Sequence, residues 1–593
     1  MRRLALVAAP LLAGATAAGF ALHRIARTPF TPYGDFGAAH LEHEVRLAAV
    51  LAWREETGSF ADKLLAVDGQ YPPLLHVLTM PLSFGGYEVA DVAWTGLLWL
   101  ALLAAAVAGC ARAITGSGVA ASAAATLVFL WPVGPAVATR YYYDLPLTAV
   151  LWTAAALALA GWDGASGLDE RLRGVRRALA QFAVALPAAA AVGVVAAGAC
   201  GFKWTALAFA PILVGAAFLT PVHRDRRRWR LPIRVFSLLV ATGVGAWLVW
   251  EVASTLGRES SLATTFNDMW PGVGTSLYAD DGSFVPRAAT AAFAGGGDDG
   301  GWRPGFLFYP LTLVSAVLSP LFAAALAGPL LQWLRADRRG APFVAVVVLG
   351  QGLFLALFIS ALDERFLLTL VPGVLLAAAM GWTSLEPRGR HRWGAAVTAA
   401  ALLVSADVHY GDDGPWAAPV EVPIPGADSV TVRGVSLADS WEQRGWARLD
   451  SQPPARMQAR RMIWALMHRC GFGPAALQDA PASSTPLGER HWLEYRSMLR
   501  TLGAAPKDPP IDDCDAWLGP LSTLDAGDVV ALPLLQRAAV EVLDGDDATH
   551  AVYLRGCVDE AFPGRAPGPA TSLRASELLA LERDAPRCLR VFE

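Results

Sequence analysis

The sequence predicts an all-α polytopic membrane domain of about 11 transmembrane helices, followed by a smaller mixed α/β domain outside the hydrocarbon. Three observations predict it. Of 593 residues, 54% are hydrophobic and only 17% charged, with a mean hydropathy of +0.40, an apolar excess that water-soluble domain cores of this length do not absorb. The excess is confined to residues 1–408, where nearly uncharged runs of about 20 residues recur, each long enough to cross a bilayer core of roughly 30 Å as a helix. Beyond that point the chain turns polar.

Eleven spans are predicted, at about 4–22, 88–110, 118–138, 145–161, 180–200, 203–220, 235–256, 306–334, 342–360, 367–384 and 393–408. The first, Leu4 to Leu22 behind Arg2 and Arg3, also fits a cleaved signal peptide. With the N-terminus in the cytoplasm, the inside loops hold Arg112, then Arg171, Arg173, Arg176 and Arg177, and then Arg224, Arg226, Arg227, Arg228, Arg230 and Arg234. Arg335, Arg338 and Arg339, followed by Arg388, Arg390 and Arg392, continue the pattern. The opposite loops are poorer in Arg and Lys, so the positive-inside rule supports span count and orientation together.

This orientation leaves three long stretches outside: residues 23–87, residues 257–305 and the tail 409–593. Irregular backbone in a membrane protein lies outside lipid or lines a cavity, so functional groups are sought there. In the first stretch Leu41, Val45, Ala48, Ala49 and Ala52 mark one face of an interfacial helix, and Tyr71-Pro-Pro-Leu-Leu-His forms a rigid entry to the next apolar segment. In the second, Gly295, Gly296, Gly297, Asp298, Asp299, Gly300 and Gly301 read as a linker, because no helix-opening GxGxxG or GK[ST] accompanies them.

The tail alternates strand-like runs such as Val430-Thr-Val-Arg with helical ones such as Arg456 to His468. Cys470, Cys514, Cys557 and Cys588 form an even set without CxxC spacing, which favours disulfides in an oxidising compartment over free thiols or zinc. Cys110 and Cys200 lie at or within spans and read as packing residues. A net charge of −4 with no basic patch argues against a nucleic-acid partner.

Charged groups at the outer ends of spans carry the candidate chemistry: Asp35, Arg140 with Asp144, Lys203 (one of three lysines) and Asp363-Glu-Arg365. Singly each also reads as an interfacial anchor. Jointly, two cations beside two carboxylates suit a lipid-linked phosphate whose sugar is to be moved, with a carboxylate as base for an acceptor hydroxyl. His40, His43 and Glu44 fall at helical spacing and are metal-ligand candidates, so no cofactor is assigned beyond a possible divalent metal. His76 reads as a packed or hydrogen-bonded histidine ahead of a catalytic one.

The collinear order Pro-Tyr-Gly-Asp35, Tyr71-Pro-Pro-Leu-Leu, Arg140-Tyr-Tyr-Tyr-Asp144-Leu-Pro, Gly201-Phe-Lys203-Trp and Asp363-Glu-Arg365-Phe-Leu before Val371-Pro-Gly resembles the GT-C membrane glycosyltransferases. Within them it is similar to the protein-mannosyltransferase and aminoarabinose-transferase branch over residues 1–408. The resemblance implies transfer of a hexosyl or pentosyl group from a polyprenyl-phosphate donor, with inversion, to a lipid, glycan or protein acceptor outside a bacterial inner (plasma) membrane. It implies Asp35 and Asp144 as catalytic carboxylates, and Lys203, Arg365 and Arg140 as donor phosphate-binding cations. It departs at Phe36, where protein mannosyltransferases carry the second member of an Asp-Glu pair; Glu42 and Glu44 are the nearest substitutes. The rival class is a transporter or flippase of lipid-linked saccharide, in which the same charges hold a headgroup without chemistry; a third is a scaffold whose tail binds partners.

Overall fold

A computed structural model describes residues 2–27, 39, 43, 46–47, 72–84, 92–167, 174–203, 205–223, 231–255, 305–336, 340–358, 364–410, 420–424, 427–432, 529–531 and 572–574. The helices run α1 (Arg2–Arg27), α2 (Leu74–Thr79), α3 (Thr95–Thr115), α4 (Gly118–Leu130), α5 (Gly134–Ala138), α6 (Asp144–Gly167), α7 (Gly174–Cys200), α8 (Ala206–Leu219) and α9 (Leu231–Thr255). They continue with α10 (Gly305–Thr312), α11 (Pro320–Ala336), α12 (Ala341–Ala345), α13 (Gln351–Phe358), α14 (Val371–Ser384) and α15 (Pro387–Tyr410). Four strands follow: β1 (Val420–Ile424), β2 (Ala427–Val432), β3 (Val529–Ala531) and β4 (Ser572–Arg574).

The chain divides into two compact units, one of residues 1–26, 69–81 and 90–441, the other of residues 27–68, 82–89 and 442–593. In the first unit α6 packs against both α3 and α7, α7 packs on α9, and α11 packs on α14. Its hairpin pairs β1 antiparallel to β2 with Val422 opposite Val430, so the strand expected at Val430 forms. In the second unit β3 and β4 pair antiparallel, and Ala39, His43, Arg46 and Leu47 are helical and buried. The apolar face expected from Leu41, Val45, Ala48, Ala49 and Ala52 lies outside the described residues, as do the glycine run 295–301, the segment Arg456 to His468 and the four tail cysteines.

Among the described residues six helical stretches are long and apolar enough to cross a membrane: Leu6–Ala26, Thr95–Thr115, Asp144–Asp163, Ala180–Cys200, Ile233–Ser254 and Arg365–Ser384. The protein is therefore an integral membrane protein. A seventh crossing, Tyr309–Val317 with Pro320–Arg335, meets the same test only as a pair bent by 106°. The difference from eleven has local causes. Trp131 precedes Pro132 and turns extended, so α4 stops after 13 residues. The 14-residue α8 starts only after a tight turn over Gly198–Lys203, and π-helical turns at Leu313–Val317 and Val346–Gly350 interrupt two more segments. The 24-residue α15 has the length, but Arg388, Arg390 and Arg392 in its first turns and Asp407 and His409 in its last turn lower its hydropathy.

Two features show how sequence sets these joints. Between α3 and α4 the chain reverses in two residues: Gly116 takes a left-handed φ of 70°, and Ser117 caps α4 by accepting from the Ala120 amide. At the broken crossing, Ser319 adopts φ 67°, its hydroxyl accepts from the Phe322 amide, and the Trp131 indole donates to the Val317 carbonyl at 2.7 Å. That indole satisfies a backbone group which the break would otherwise strand.

Candidate functional site

Four of the five sequence pieces singled out above meet in the first unit. The Leu74 amide donates to the Gly201 carbonyl at 3.0 Å, tying Tyr71-Pro-Pro-Leu-Leu-His to Gly201-Phe-Lys203. A Cβ on Gly201 would come within 2.8 Å of the Leu74 side chain, so glycine permits this approach. Gly96 of α3 is seated against the Ala138 carbonyl with no room for a side chain, which fixes where the chain leaves α5 for Arg140.

From Arg140 the chain bends through Tyr141, Tyr142 and Tyr143 into α6, and alternate side chains find different partners. Tyr141 and Tyr143 both reach His76, whose Nδ1 lies 3.1 Å from the Tyr141 hydroxyl and Nε2 2.7 Å from that of Tyr143. Tyr142 and Asp144 both reach the cations. Lys203 Nζ donates to Asp144 Oδ1 at 2.9 Å and sits 5.7 Å from the Tyr142 ring centroid and 5.2 Å from that of Phe366. Arg365 Nη1 donates to the Tyr142 hydroxyl at 3.0 Å, and its guanidinium lies 5.3 Å from the same ring. Two cations thus share one aromatic ring, an arrangement worth more where water is scarce.

Electrostatics of the secondary structure favour this pairing. Asp144 opens α6, where a carboxylate meets the positive end of the helix dipole, and Lys203 follows the last turn of α7, where a cation meets the negative end. Lys203 is 3% exposed, Asp144 6% and Arg140 3%, while Arg365 is part-exposed. Asp144 Oδ2 is buried and has no hydrogen-bond partner among the described residues. One oxygen of the carboxylate thus orients Lys203 and the other remains open to a further donor.

Of the candidate residues, the structure brings together Asp144, Lys203 and Arg365, with Arg140 four residues before Asp144. Asp35, Asp363, His40 and Glu44 lie outside the described residues. His43 is fully buried with Nε2 3.0 Å from Ser83 Oγ. Among the described residues no group of three His, Cys, Asp or Glu side chains is placed to hold a metal. Cys110 and Cys200 are buried free thiols, as their packing role requires. Sequence reasoning missed Tyr142 and Phe366; three adjacent tyrosines before a charged helix start were the available signal.

No family model matches the chain, and no curated protein matches it. Solved structures do. ArnT from Cupriavidus metallidurans bound to undecaprenyl phosphate is 16% identical, with 68% of this chain and 64% of that chain covered at a TM-score of 0.44; the chain spans less than two thirds of that relative. The same protein in the apo state is 14% identical, with 98% and 84% covered, also at 0.44. The Archaeoglobus fulgidus oligosaccharyltransferase in the apo form is 12% identical, with 93% and 68% covered at 0.40. Both proteins belong to the GT-C superfamily.

Proposed function

We propose that this protein is a membrane glycosyltransferase that moves a hexosyl or pentosyl group from a polyprenyl-phosphate donor to an acceptor on the outer side of the membrane, with inversion. The observation that carries this reading is the convergence of Lys203 and Arg365 on Tyr142 beside Asp144. Two clustered cations, one tethered by a carboxylate and one by a phenol, suit a phosphodiester whose charge grows as its glycosyl bond breaks. The acceptor oxygen attacks the anomeric carbon, the bond from that carbon to the phosphate oxygen breaks, and the phosphate departs on the lipid. Asp35 takes the acceptor proton as general base. Asp144 holds Lys203 toward the phosphate, and Arg140 adds positive charge next to it.

One observation favours the rival, a flippase of lipid-linked saccharide: the crossing broken at Ser319, since half-helices are used by transporters to bind their cargo. The two readings separate in one experiment. Full-length protein in lipid nanodiscs is given a polyprenyl-phosphate sugar and an acceptor extract from a native envelope, with donor binding and sugar transfer measured separately. Transfer by wild type, reduced by roughly 10² or more in Asp35→Asn at nearly unchanged donor affinity, is the expected result. Donor binding without any transfer would move the assignment to the flippase, and wild-type turnover by Asp35→Asn would remove the base.

A further inference from the structure

We propose that His76 is a positioning residue: by clamping Tyr141 and Tyr143 it fixes Tyr142 and Asp144 within the same short run, and so sets where Lys203 and Arg365 present their charges. The inference rests on the glycosyltransferase reading for its functional consequence, but its structural content stands without it.

His76 is fully buried, and its ring is packed between two phenols, 5.8 Å from the Tyr141 ring and 5.6 Å edge-on to Tyr143. The hydrogen bonds form a chain. Thr79 Oγ1 donates to the Leu75 carbonyl at 2.8 Å and lies 2.7 Å from the Tyr141 hydroxyl. That hydroxyl lies 3.1 Å from His76 Nδ1, and the Tyr143 hydroxyl lies 2.7 Å from Nε2, so each ring nitrogen faces one phenol.

Tyr142 touches the Tyr143 ring edge-on at 5.1 Å and carries the contacts to Arg365 and Lys203, and Asp144 carries the ion pair. Tyr141 to Asp144 precede or begin α6, and the amide of Leu147 returns to the Tyr143 carbonyl at 3.0 Å. A movement of Tyr143 is therefore a movement of the first turn of α6 and of its carboxylate. His76 acts on the ion pair through the tyrosines.

The test uses the full-length protein in nanodiscs and reads Lys203 directly, which is practical because the chain has only Lys63, Lys203 and Lys507. Acetylation with an amine-reactive ester is quantified at each lysine by mass spectrometry. Loss of the clamp in His76→Phe is expected to speed acetylation of Lys203 about tenfold, the equivalent of one or two net hydrogen bonds, with Lys63 and Lys507 unchanged. His76→Gln, which keeps one donor and one acceptor, is expected within about threefold of wild type, and Tyr143→Phe between the two. Where His76→Phe fails to fold, the Tyr143→Phe and His76→Gln pair decides alone. Wild-type Lys203 reactivity in both His76→Phe and Tyr143→Phe would overturn the proposal. Binding of undecaprenyl phosphate is measured in parallel: wild-type protein that fails to bind it defeats the donor reading, and the Lys203 labelling still decides the role of His76.

Discussion

Lys203 and Asp144 are 59 positions apart in sequence and 2.9 Å apart in space, each nearly buried at the favourable end of a different helix. A buried ion pair is weak evidence for stability as such, but breaking it from one side leaves an uncompensated charge. Lys203→Met and Asp144→Asn should each destabilise the protein by about 3–5 kcal/mol, and the double variant should recover most of that loss. Thermal unfolding of the three proteins in detergent checks it; additive losses would mean that the two charges do not interact.

Arg365 and Tyr142 should show a graded response. Tyr142→Phe removes the hydroxyl but keeps the ring, so donor affinity should fall by about 0.5–1.5 kcal/mol. Tyr142→Ala also removes the ring shared by both cations and should cost more, about 1–2 kcal/mol beyond the phenylalanine variant. Equal affinities for the two variants, measured by titration with undecaprenyl phosphate, would show that the ring does not order the cations.

The site was partly legible from the sequence, and the reasons differ by residue. Asp144, Lys203 and Arg365 stood out because charge at the end of an apolar span is rare and needs an explanation. Tyr142 did not, because a tyrosine at a membrane boundary has an ordinary interfacial reading, and it is the three-dimensional return of residues 203 and 365 that sets two cations beside its ring. The long apolar helices were legible from hydropathy alone, whereas the π-helical turns and the sharp bend at Ser319 were not: at the bend the Val317 carbonyl takes its donor from Trp131, 186 positions earlier in sequence.

Gly193 shows how tightly α7 and α9 cross. A Cβ there would lie 2.5 Å from the Ala241 carbonyl oxygen, and Gly245 approaches from the facing helix. Close backbone approach through small residues is a main source of helix association in lipid. Gly193→Val should therefore destabilise the protein by about 1–3 kcal/mol if the helices can shift, read as a lower unfolding temperature and a lower yield of folded protein. Gly243, which has open space around its missing Cβ, provides the control: Gly243→Ala should be neutral or slightly stabilising.

Gln351 is fully buried, and neither amide atom has a hydrogen-bond partner among the described residues. Replacing such a group by an apolar one of similar size removes a desolvation cost, so Gln351→Leu should stabilise the protein by about 1–3 kcal/mol. A destabilised Gln351→Leu would mean that the amide is paired.

Orientation is open to labelling. Single cysteines near residues 228 and 338 should react only from the cytoplasmic side, and those near 280 and 500 only from outside, as the arginine distribution requires. Tail labelling from the cytoplasm would invert every assignment of an outer site.

The bond from Trp131 to the Val317 carbonyl has a meaning for biogenesis as well as for shape. The indole is synthesised 186 residues before its acceptor, an interval of roughly 10–40 s at ordinary translation rates. Through that interval the ring sits at the end of α4 with its eventual acceptor still unmade. The bent crossing is thus a late closing event, in which the arrival of residues 305–336 completes a bond that an early helix has held ready.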